Sequence, residues 1–294
     1  MDGSNVRRIV LLGKTGSGKS SLGNTILGDS LLKVKTSPKS ETNECHAESK
    51  MINGKRVHVI DTPGFFDTNM SEEELKREIL KCMAECAPGP HAFLIVLKVD
   101  RYTDQEKEVI NKILECFSEK ALQHAVVVFT RGDQLEEGMT IKDFVGNSVE
   151  LSDLVNKCGR RCHVVDNKYW KNNNPGDYRS NQFQVGRLLN TIERMKKEKG
   201  IYTNDVLQKV EEVKGKSKEN IVERLMVMFA SVTVGALLGA FFGARALPQF
   251  ATAGAVVGAI GGGILGSSIG MMSSTPREAV QKTMDLVREM KKNI

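Results

Sequence analysis

The residues most able to do chemistry lie in a glycine-rich stretch near the start of the chain. Residues 13–20 read G-K-T-G-S-G-K-S and fit the pattern G-x-x-x-x-G-K-[ST]. Glycines let the backbone wrap closely around a phosphate chain, so that successive N–H groups point inward. Lys19 would then reach the β- and γ-phosphates, and the Ser20 hydroxyl would bind Mg²⁺. The stretch predicts a site for a nucleoside triphosphate, with the candidate residues Gly13, Lys14, Thr15, Gly16, Ser17, Gly18, Lys19, Ser20 and Ser21.

The residues on either side of this stretch have the character that a phosphate-binding loop requires. Residues 6–12 end in an apolar run suited to a buried strand, and residues 21–27 fit the first turns of a helix. A helix N-terminus adds unpaired N–H donors and a partial positive charge. This context favours a phosphate-binding loop over the alternative, an ordinary Gly-Ser loop with a solvated lysine.

A second motif, D-T-P-G at residues 61–64, follows a strand that begins after the hairpin signal Asn53-Gly54. An acid at the end of a buried strand is what a Walker-B type metal site needs. Asp61 would hold Mg²⁺ through a water, and the N–H of Gly64 would touch the γ-phosphate. The polar, aperiodic residues 28–50 carry several hydroxyls, any of which could also meet a metal.

A third candidate element, T-R-G-D at residues 130–133, follows the apolar strand at residues 125–129. In a GTPase, a T/N-K-x-D motif at this place sets its Asp against the N1 and N2 hydrogens of guanine. Here Arg131 replaces the lysine, and Asp133 keeps the acid. The candidate base-binding residues are Arg131, Gly132 and Asp133. The alternative is a loop acid that happens to end a strand.

Strands that are apolar on both faces alternate with amphipathic helices along residues 6–199. This alternation predicts an α/β fold with a mostly parallel sheet covered on both sides. The net charge of +6 is mild and spread along the chain, so we expect no nucleic-acid partner. Six scattered cysteines do not form a disulfide scaffold, and the i,i+4 pairs at 82/86 and 158/162 are expected to be reduced thiols. No secretory signal precedes the first strand, so we expect this domain in the cytosol.

Residues 7 to about 199 resemble the GTPases of immunity-associated proteins (the GIMAP family), which are similar to septins and chloroplast-import receptor GTPases. The resemblance rests on GKTGSGKSSLGNTILG, DTPGFFDT, FTRGDQL and the block from residue 87 through R-Y-T at 101–103, which ordinary Ras-like domains lack. It implies a P-loop NTPase of the Ras-like (paraseptin) type over residues 1–200, with a six-stranded sheet, guanine specificity, and GTP/GDP and Mg²⁺ as cofactors. By motif position, Thr42 corresponds to the switch I threonine, a metal ligand, and Asn167 to the asparagine after the last strand.

Hydrolysis is expected to be slow. Ras-like enzymes orient the attacking water with a glutamine just after the D-x-x-G glycine, and here that place holds Phe65, followed by Phe66. Arg101 is a candidate for catalysis in trans, because the nucleotide faces of this family are thought to meet in a dimer. The expected partners are a second copy of this chain and other members of the family. A solvated loop arginine is an equal alternative for Arg101.

The end of the chain changes character after a charged linker or helix at residues 201–222. Residues 225–244 carry no charge, and this segment is long enough for a membrane-spanning helix. A short break at 245–250 leads to the uncharged, glycine-rich residues 251–272. Glycine at every fourth position lets helices pack closely in lipid. We therefore predict a glycine-zipper membrane hairpin over residues 223–272 and a basic amphipathic helix over 273–294. A soluble or disordered Gly/Ala tail is the alternative.

The sequence thus predicts a GTP-binding protein of the GIMAP type, anchored to an intracellular membrane, that switches by GTP-dependent dimerisation or oligomerisation with slow Mg²⁺-dependent hydrolysis. Three alternatives stay open: a non-hydrolysing scaffold controlled by GTP, an ATPase of the same fold, and a membrane-permeabilising protein whose tail is the effector.

Overall fold

The computed structural model describes residues 5–34, 44–64, 70–100, 103–171, 174, 176–216, 221–230 and 232–243. The predicted positions Thr42, Phe65, Phe66 and Arg101, and all residues after 243, lie outside these ranges. The chain divides into two compact units. The first unit contains residues 1–69 and 89–203, and the second contains residues 70–88 and 204–294.

The first unit is built on a six-stranded sheet, as predicted. Its strands are β1 (Val6–Leu12), β2 (His46–Ile52), β3 (Lys55–Asp61), β4 (Ala92–Lys98), β5 (Ala125–Thr130) and β6 (Cys162–Val164). They lie in the order β2-β3-β1-β4-β5-β6, and every neighbouring pair is parallel except β2 with β3. That pair is the predicted hairpin, whose turn needs the positive φ of both Asn53 (49°) and Gly54 (72°).

Helices connect the strands and continue after them. They are α1 (Lys19–Leu27), α2 (Glu72–Cys86), α3 (Asp104–Cys116), α4 (Glu119–Gln123), α5 (Ile141–Gly146), α6 (Val149–Lys157), α7 (Asn181–Lys199), α8 (Asp205–Lys216), α9 (Ile221–Met228) and α10 (Val234–Phe242). The ends follow the expected local chemistry: the Ser71 hydroxyl accepts the Glu74 N–H in a capping box at α2, and the Thr103 hydroxyl accepts the Glu106 N–H at α3.

Helices of the first unit cover both faces of the sheet, as predicted. On one face, apolar residues of α1 and α7, such as Leu22 and Leu188, form a single buried core with the alternate residues of the central strands. On the other face, Phe93 of β4 packs edge-on against Phe117, with ring centroids 5.2 Å apart. These opposite-facing residues make both surfaces of the central strands part of the core, which explains why their sequences are continuously apolar.

The second unit contains α2, α8, α9 and α10. The largest apolar side chains of α10, Phe241 and Phe242, are 0% exposed, and α10 packs against α2 and α8. Polar contacts fix the helix ends. Lys76 of α2 donates to the carbonyls of Phe229 (3.3 Å) and Ala230 (3.1 Å) after α9, and Asn204 donates to the carbonyl of Ala240 at 2.9 Å.

The prediction of one continuous apolar helix over residues 225–244 is wrong in its described part. The chain forms two short helices there, because Thr233 caps a new helix by accepting the Ala236 N–H, and Gly243 ends that helix in the left-handed conformation. Among the residues that the structure describes, no helix has the length and apolar character needed to cross a membrane. The predicted hairpin from residue 245 onward and the final basic helix lie outside the described ranges.

Candidate functional site

The parallel strands bring the three predicted motifs to one edge of the sheet. Residue Leu11 of β1 pairs with Asp61 at the end of β3, and Lys98 of β4 pairs with Thr130 at the end of β5. The glycine-rich loop leaves the same end of β1 and leads into α1. The carboxyl ends of parallel strands are where open α/β sheets bind ligands.

Glycine is required at the start and end of the loop. Gly13 has a φ of 149°, and a Cβ there would lie 2.4 Å from the carbonyl oxygen of Val96. Gly18 has a φ of 91°, and a Cβ there would lie 3.2 Å from the amide nitrogen of Asn167. The buried Lys19 ammonium is held by the loop itself, because it donates to the carbonyls of Gly13 (2.9 Å) and Lys14 (3.1 Å). The loop therefore fixes its lysine before any phosphate arrives.

Ser20 and Asp61, predicted to hold the metal, are brought together. The Ser20 hydroxyl donates to Oδ2 of Asp61, which is 1% exposed. Burial raises the pKa of Asp61, and the opposing influences are the hydrogen bond from Ser20 and the charges of Lys19 and His46. Oδ1 of Asp61 is buried and has no hydrogen-bond partner within the described part of the chain. A hydroxyl and an orphaned carboxylate oxygen are the hard oxygen donors that Mg²⁺ prefers, so these residues fit the predicted ion.

The two predicted base-contacting loops line one open cavity of about 420 Å³ together with the end of the glycine loop. Asp133 stands in a short 3₁₀ turn, Gly132–Gln134, directly after β5. Asn167 follows β6 and accepts the Thr25 hydroxyl at 2.9 Å while its amide donates to the Gly18 carbonyl at 3.4 Å. Asn167 is therefore tied to both the glycine loop and α1.

Arg131, which stands where GTPases of this type have lysine, adopts the left-handed conformation with a φ of 59°. Its guanidinium lies 3.6 Å from the carboxylate of Asp100, and both side chains are exposed. Thr130 links this loop to the glycine loop, because its hydroxyl donates to the carbonyls of Ser17 (2.8 Å) and Leu97 (3.2 Å). Ser21 lies in the first turn of α1, Gly64 is buried after β3, and Thr15 and Gly16 lie at the outer bend of the loop.

Two residues that contact the base-contacting loops were not identified from the sequence. Asp166 is 2% exposed and accepts backbone N–H groups from both base-contacting loops. Trp170, the only tryptophan of the chain, lies against Gly132, where an added Cβ would come within 2.5 Å of the indole ring. The position next to Asn167 was the available signal for Asp166; no spacing rule pointed to Trp170.

Thr42 and Arg101 lie outside the described residues, so their roles stay predictions. Among the side chains that the structure describes, no group of three His, Cys, Asp or Glu residues could hold a metal. Cys158 is buried, which raises the pKa of its thiol to about 12, and it forms no disulfide.

Comparison with known proteins agrees with this geometry. The sequence model of the AIG1 family matches residues 7–221, which is most of the chain. The chain belongs to the AIG1 family. Immune-associated nucleotide-binding protein 8 of Arabidopsis thaliana is 36% identical over 221 residues, covering 73% of this chain and 61% of that protein. GTPase IMAP family member 8 of Mus musculus is 35% identical over 192 residues, covering 65% of this chain and 27% of that protein.

The predicted P-loop GTPase fold is confirmed by solved structures. Toc33 from Arabidopsis thaliana, crystallised with Mg²⁺ and GMPPNP, superposes with a TM-score of 0.51 at 20% identity and covers 67% of this chain and 87% of that chain. The family resemblance predicted from the motifs is thus confirmed as well. The AIG1 match runs past residue 200, where the sequence placed the domain end, and includes α8.

Proposed function

We propose that this AIG1-family chain binds GTP and GDP with Mg²⁺ and distinguishes guanine from adenine. The observation that carries the proposal is the cavity that Asp133 and Asn167 share with the end of the glycine loop. The curated relatives, named GTPase and nucleotide-binding proteins, and the Toc33 complex with Mg²⁺ and GMPPNP support it. Ser20 and Asp61 would hold Mg²⁺, which would supply positive charge against that of the phosphate groups.

Guanine choice is tested by competition between GTP and ATP. An ionised Asp133 would accept two hydrogen bonds from the base, each worth about 1.5–3 kcal/mol to a charged group. We expect Asp133→Ala to weaken the affinity for GTP by about 10²–10⁴-fold and to leave the affinity for ATP unchanged. Asp153→Ala, which removes an exposed acid of α6, is the matched control. Equal affinity of the wild-type chain for GTP and ATP overturns the assignment and favours an ATPase of the same fold.

We further propose that the chain self-associates through its nucleotide face and hydrolyses GTP slowly, with Arg101 acting in trans. Support comes from the sequence, where Phe65 replaces a water-orienting glutamine. A Toc33 structure of an arginine-to-alanine, dimerisation-deficient mutant shows that an arginine supports dimerisation in that protein. Other AIG1-family members are candidate partners of the same kind.

Hydrolysis per molecule, measured against protein concentration, tests the trans mechanism. A supplied arginine contributes about 10³–10⁵-fold in rate, so the rate per molecule should rise with concentration, and Arg101→Ala should flatten the rise. A measurable rate that does not depend on concentration excludes catalysis in trans. Nucleotide-dependent assembly without hydrolysis supports the scaffold instead.

For the tail we propose a tether to an intracellular membrane, with the first unit in the cytosol. Its support is the uncharged, glycine-rich composition of residues 251–272. Because α9 and α10 bury their apolar faces within the second unit, the tether is assigned first to the residues after Gly243.

Flotation of the full chain with phospholipid vesicles, compared with a chain ending at residue 243, tests the tether. Binding by the full chain alone supports it, and equal behaviour of the two chains contradicts it. Protease accessibility of residue 290 on intact vesicles then separates a hairpin from a single span. Leakage of vesicle contents caused by the tail would favour the membrane-permeabilising alternative.

A further inference from the structure

Asp166 is a carboxylate whose surroundings the proposed binding of guanine does not explain. It follows β6 by two residues, is 2% exposed, and lies in the wall of the cavity. A buried carboxylate is costly unless hydrogen bonds compensate the loss of water. The identity of its hydrogen-bond partners therefore indicates what the residue is for.

Three backbone groups donate to this carboxylate, and they come from both base-contacting loops. Oδ2 accepts the N–H of Asp133 at 3.4 Å, from the loop after β5. Oδ1 accepts the N–H of Lys168 at 2.9 Å and also the N–H of Tyr169, from the loop after β6. One side chain thus joins two loops that are separated by more than thirty residues of sequence.

The main chain of Asp166 is itself fixed. Its N–H donates to Oδ1 of Asn181 at 3.0 Å, and its carbonyl accepts the amide of the same residue. Asn181 is the first residue of α7, which packs into the core of the first unit through Leu188. The carboxylate is therefore a rigid point to which the two loops attach.

The carboxyl groups of Asp133 and Asp166 also influence each other's protonation, and they share a hydrogen bond when one of them carries a proton. The hydrogen bond with Asp166 raises the pKa of Asp133, and burial adds to the rise. Burial acts to raise the pKa of Asp166 as well, but the hydrogen bonds from Asp133 and from the backbone N–H groups outweigh it and lower that pKa. When the pair holds a proton, Asp133 is therefore the carboxyl that carries it and donates to Asp166.

We propose that Asp166 is a positioning residue for guanine, which joins the two base-contacting loops and holds the Asp133 side chain by a hydrogen bond that the base replaces. The inference rests on the proposed binding of guanine nucleotides. Guanine presents two donors to Asp133, so Asp133 must be ionised when the base is bound. Each binding event releases the shared proton to solvent at a pH where the empty cavity still holds it.

The sign of the pH dependence follows from this exchange. Guanine affinity is low where Asp133 is protonated, rises as the pH rises through its pKa, and is constant above it. Gln134 donates to Asp133 at 2.6 Å, and the cationic side chains that line the same cavity in the described part of the chain are Lys98, Arg131 and Lys168. Among the described residues that line the cavity, Asp133 and Asp166 are the carboxyl groups, so the pH dependence is assigned to this pair.

The experiment measures GDP and ADP affinity of the full chain between pH 4.5 and 8 for wild type, Asp166→Asn and Asp166→Ala. Asp166→Asn keeps an oxygen for the N–H groups of Lys168 and Tyr169 but removes the second carboxyl. For Asp166→Asn we expect GDP affinity close to wild type at pH 8. As the pH is lowered, its GDP affinity should begin to fall at a lower pH than that of the wild-type chain. Asp166→Ala removes the link, so GDP affinity and the GDP-to-ADP ratio should both fall about 10-fold or more.

Asp143→Ala is the matched control, because the Asp143 carboxylate also accepts a backbone N–H, that of Thr140 at 2.9 Å, but in the exposed cap of α5. It should lower the melting temperature without changing either the GDP-to-ADP ratio or the pH profile. The inference is overturned if Asp166→Ala keeps the wild-type ratio, or if Asp166→Asn keeps the wild-type pH profile. If the wild-type chain binds GDP no more tightly than ADP, the proposed function itself is overturned, which is a separate result.

Discussion

Truncation of Phe241 in α10 tests whether the apolar end of the described chain packs as the second unit requires. The ring is 0% exposed and stacks at a tilt of 32° on Phe242, with centroids 4.6 Å apart. Phe→Ala substitutions in cores cost about 3–5 kcal/mol. Because α10 is short and can partly relax around the cavity, we expect the lower end, about 3 kcal/mol. At 1.4 kcal/mol per factor of ten, this loss makes opening of the unit about 100-fold more frequent.

Hydrogen exchange of the α2 backbone amides is the appropriate assay, because α10 packs against α2 and exchange reports on local opening. The α2 amides should exchange about 100-fold faster in Phe241→Ala than in the wild-type chain. Val149→Ala is the control: this side chain is 83% exposed on α6, and surface substitutions usually change stability by less than about 0.5 kcal/mol. Its α2 exchange rates should stay within about threefold of wild type.

The result that refutes the reasoning is unchanged α2 exchange in a folded Phe241→Ala protein. It would mean that α10 does not cover α2 in solution. The apolar residues of α10 would then be available to a membrane, as the sequence alone suggested, and the boundary of the proposed tether would move before residue 234.

Three further outcomes are expected. Asp61→Asn should weaken the Mg²⁺-dependent part of GTP binding by about 10–100-fold, measured as the ratio of affinities with Mg²⁺ and with EDTA, and an unchanged ratio contradicts the metal site. Gly13→Ala should abolish nucleotide binding, because its Cβ would lie 2.4 Å from the Val96 carbonyl oxygen. Gly28→Ala has a φ of 63° and open space around the Cβ, so it should lower the free energy of unfolding by only about 1–2 kcal/mol. The thiol of Cys158, with a pKa of about 12, should resist alkylation at pH 8 and react as the pH is raised or the chain is unfolded, which mass spectrometry of labelled peptides would detect.

Local sequence patterns were sufficient to predict the core of the fold and the part of the site that would bind phosphate. The glycine spacing at residues 13–20 allows few backbone paths, and an acid at the end of a buried strand must lie at the sheet edge near that loop. The resulting contact between Ser20 and Asp61 was therefore predictable from two separate motifs. The mostly parallel pairing of the strands, though not their order, followed from their continuous apolar character, because strands buried on both faces need helices on both sides.

The base end of the site was predicted only in part. Asp133 and Asn167 belong to motifs with a fixed position after a strand, and the structure sets both beside one cavity. Asp166 and Trp170 contribute through contacts with residues far away in sequence, such as Asp133 and Gly132. A single sequence records which residue stands at each position, but it does not record which distant backbone N–H a carboxylate will accept.

The difference between what the sequence predicts and what the tertiary structure decides is clearest at the end of the described chain. The sequence by itself favoured burial of the apolar side chains of residues 225–243, because the cost of leaving Phe241 and Phe242 in water does not depend on the fold. It could not determine what would bury them, since a protein core and a lipid bilayer both accept the same side chains. Only the tertiary structure decided that α2 and α8 cover α10, and that Thr233 and Gly243 divide the apolar run into helices too short to span a membrane.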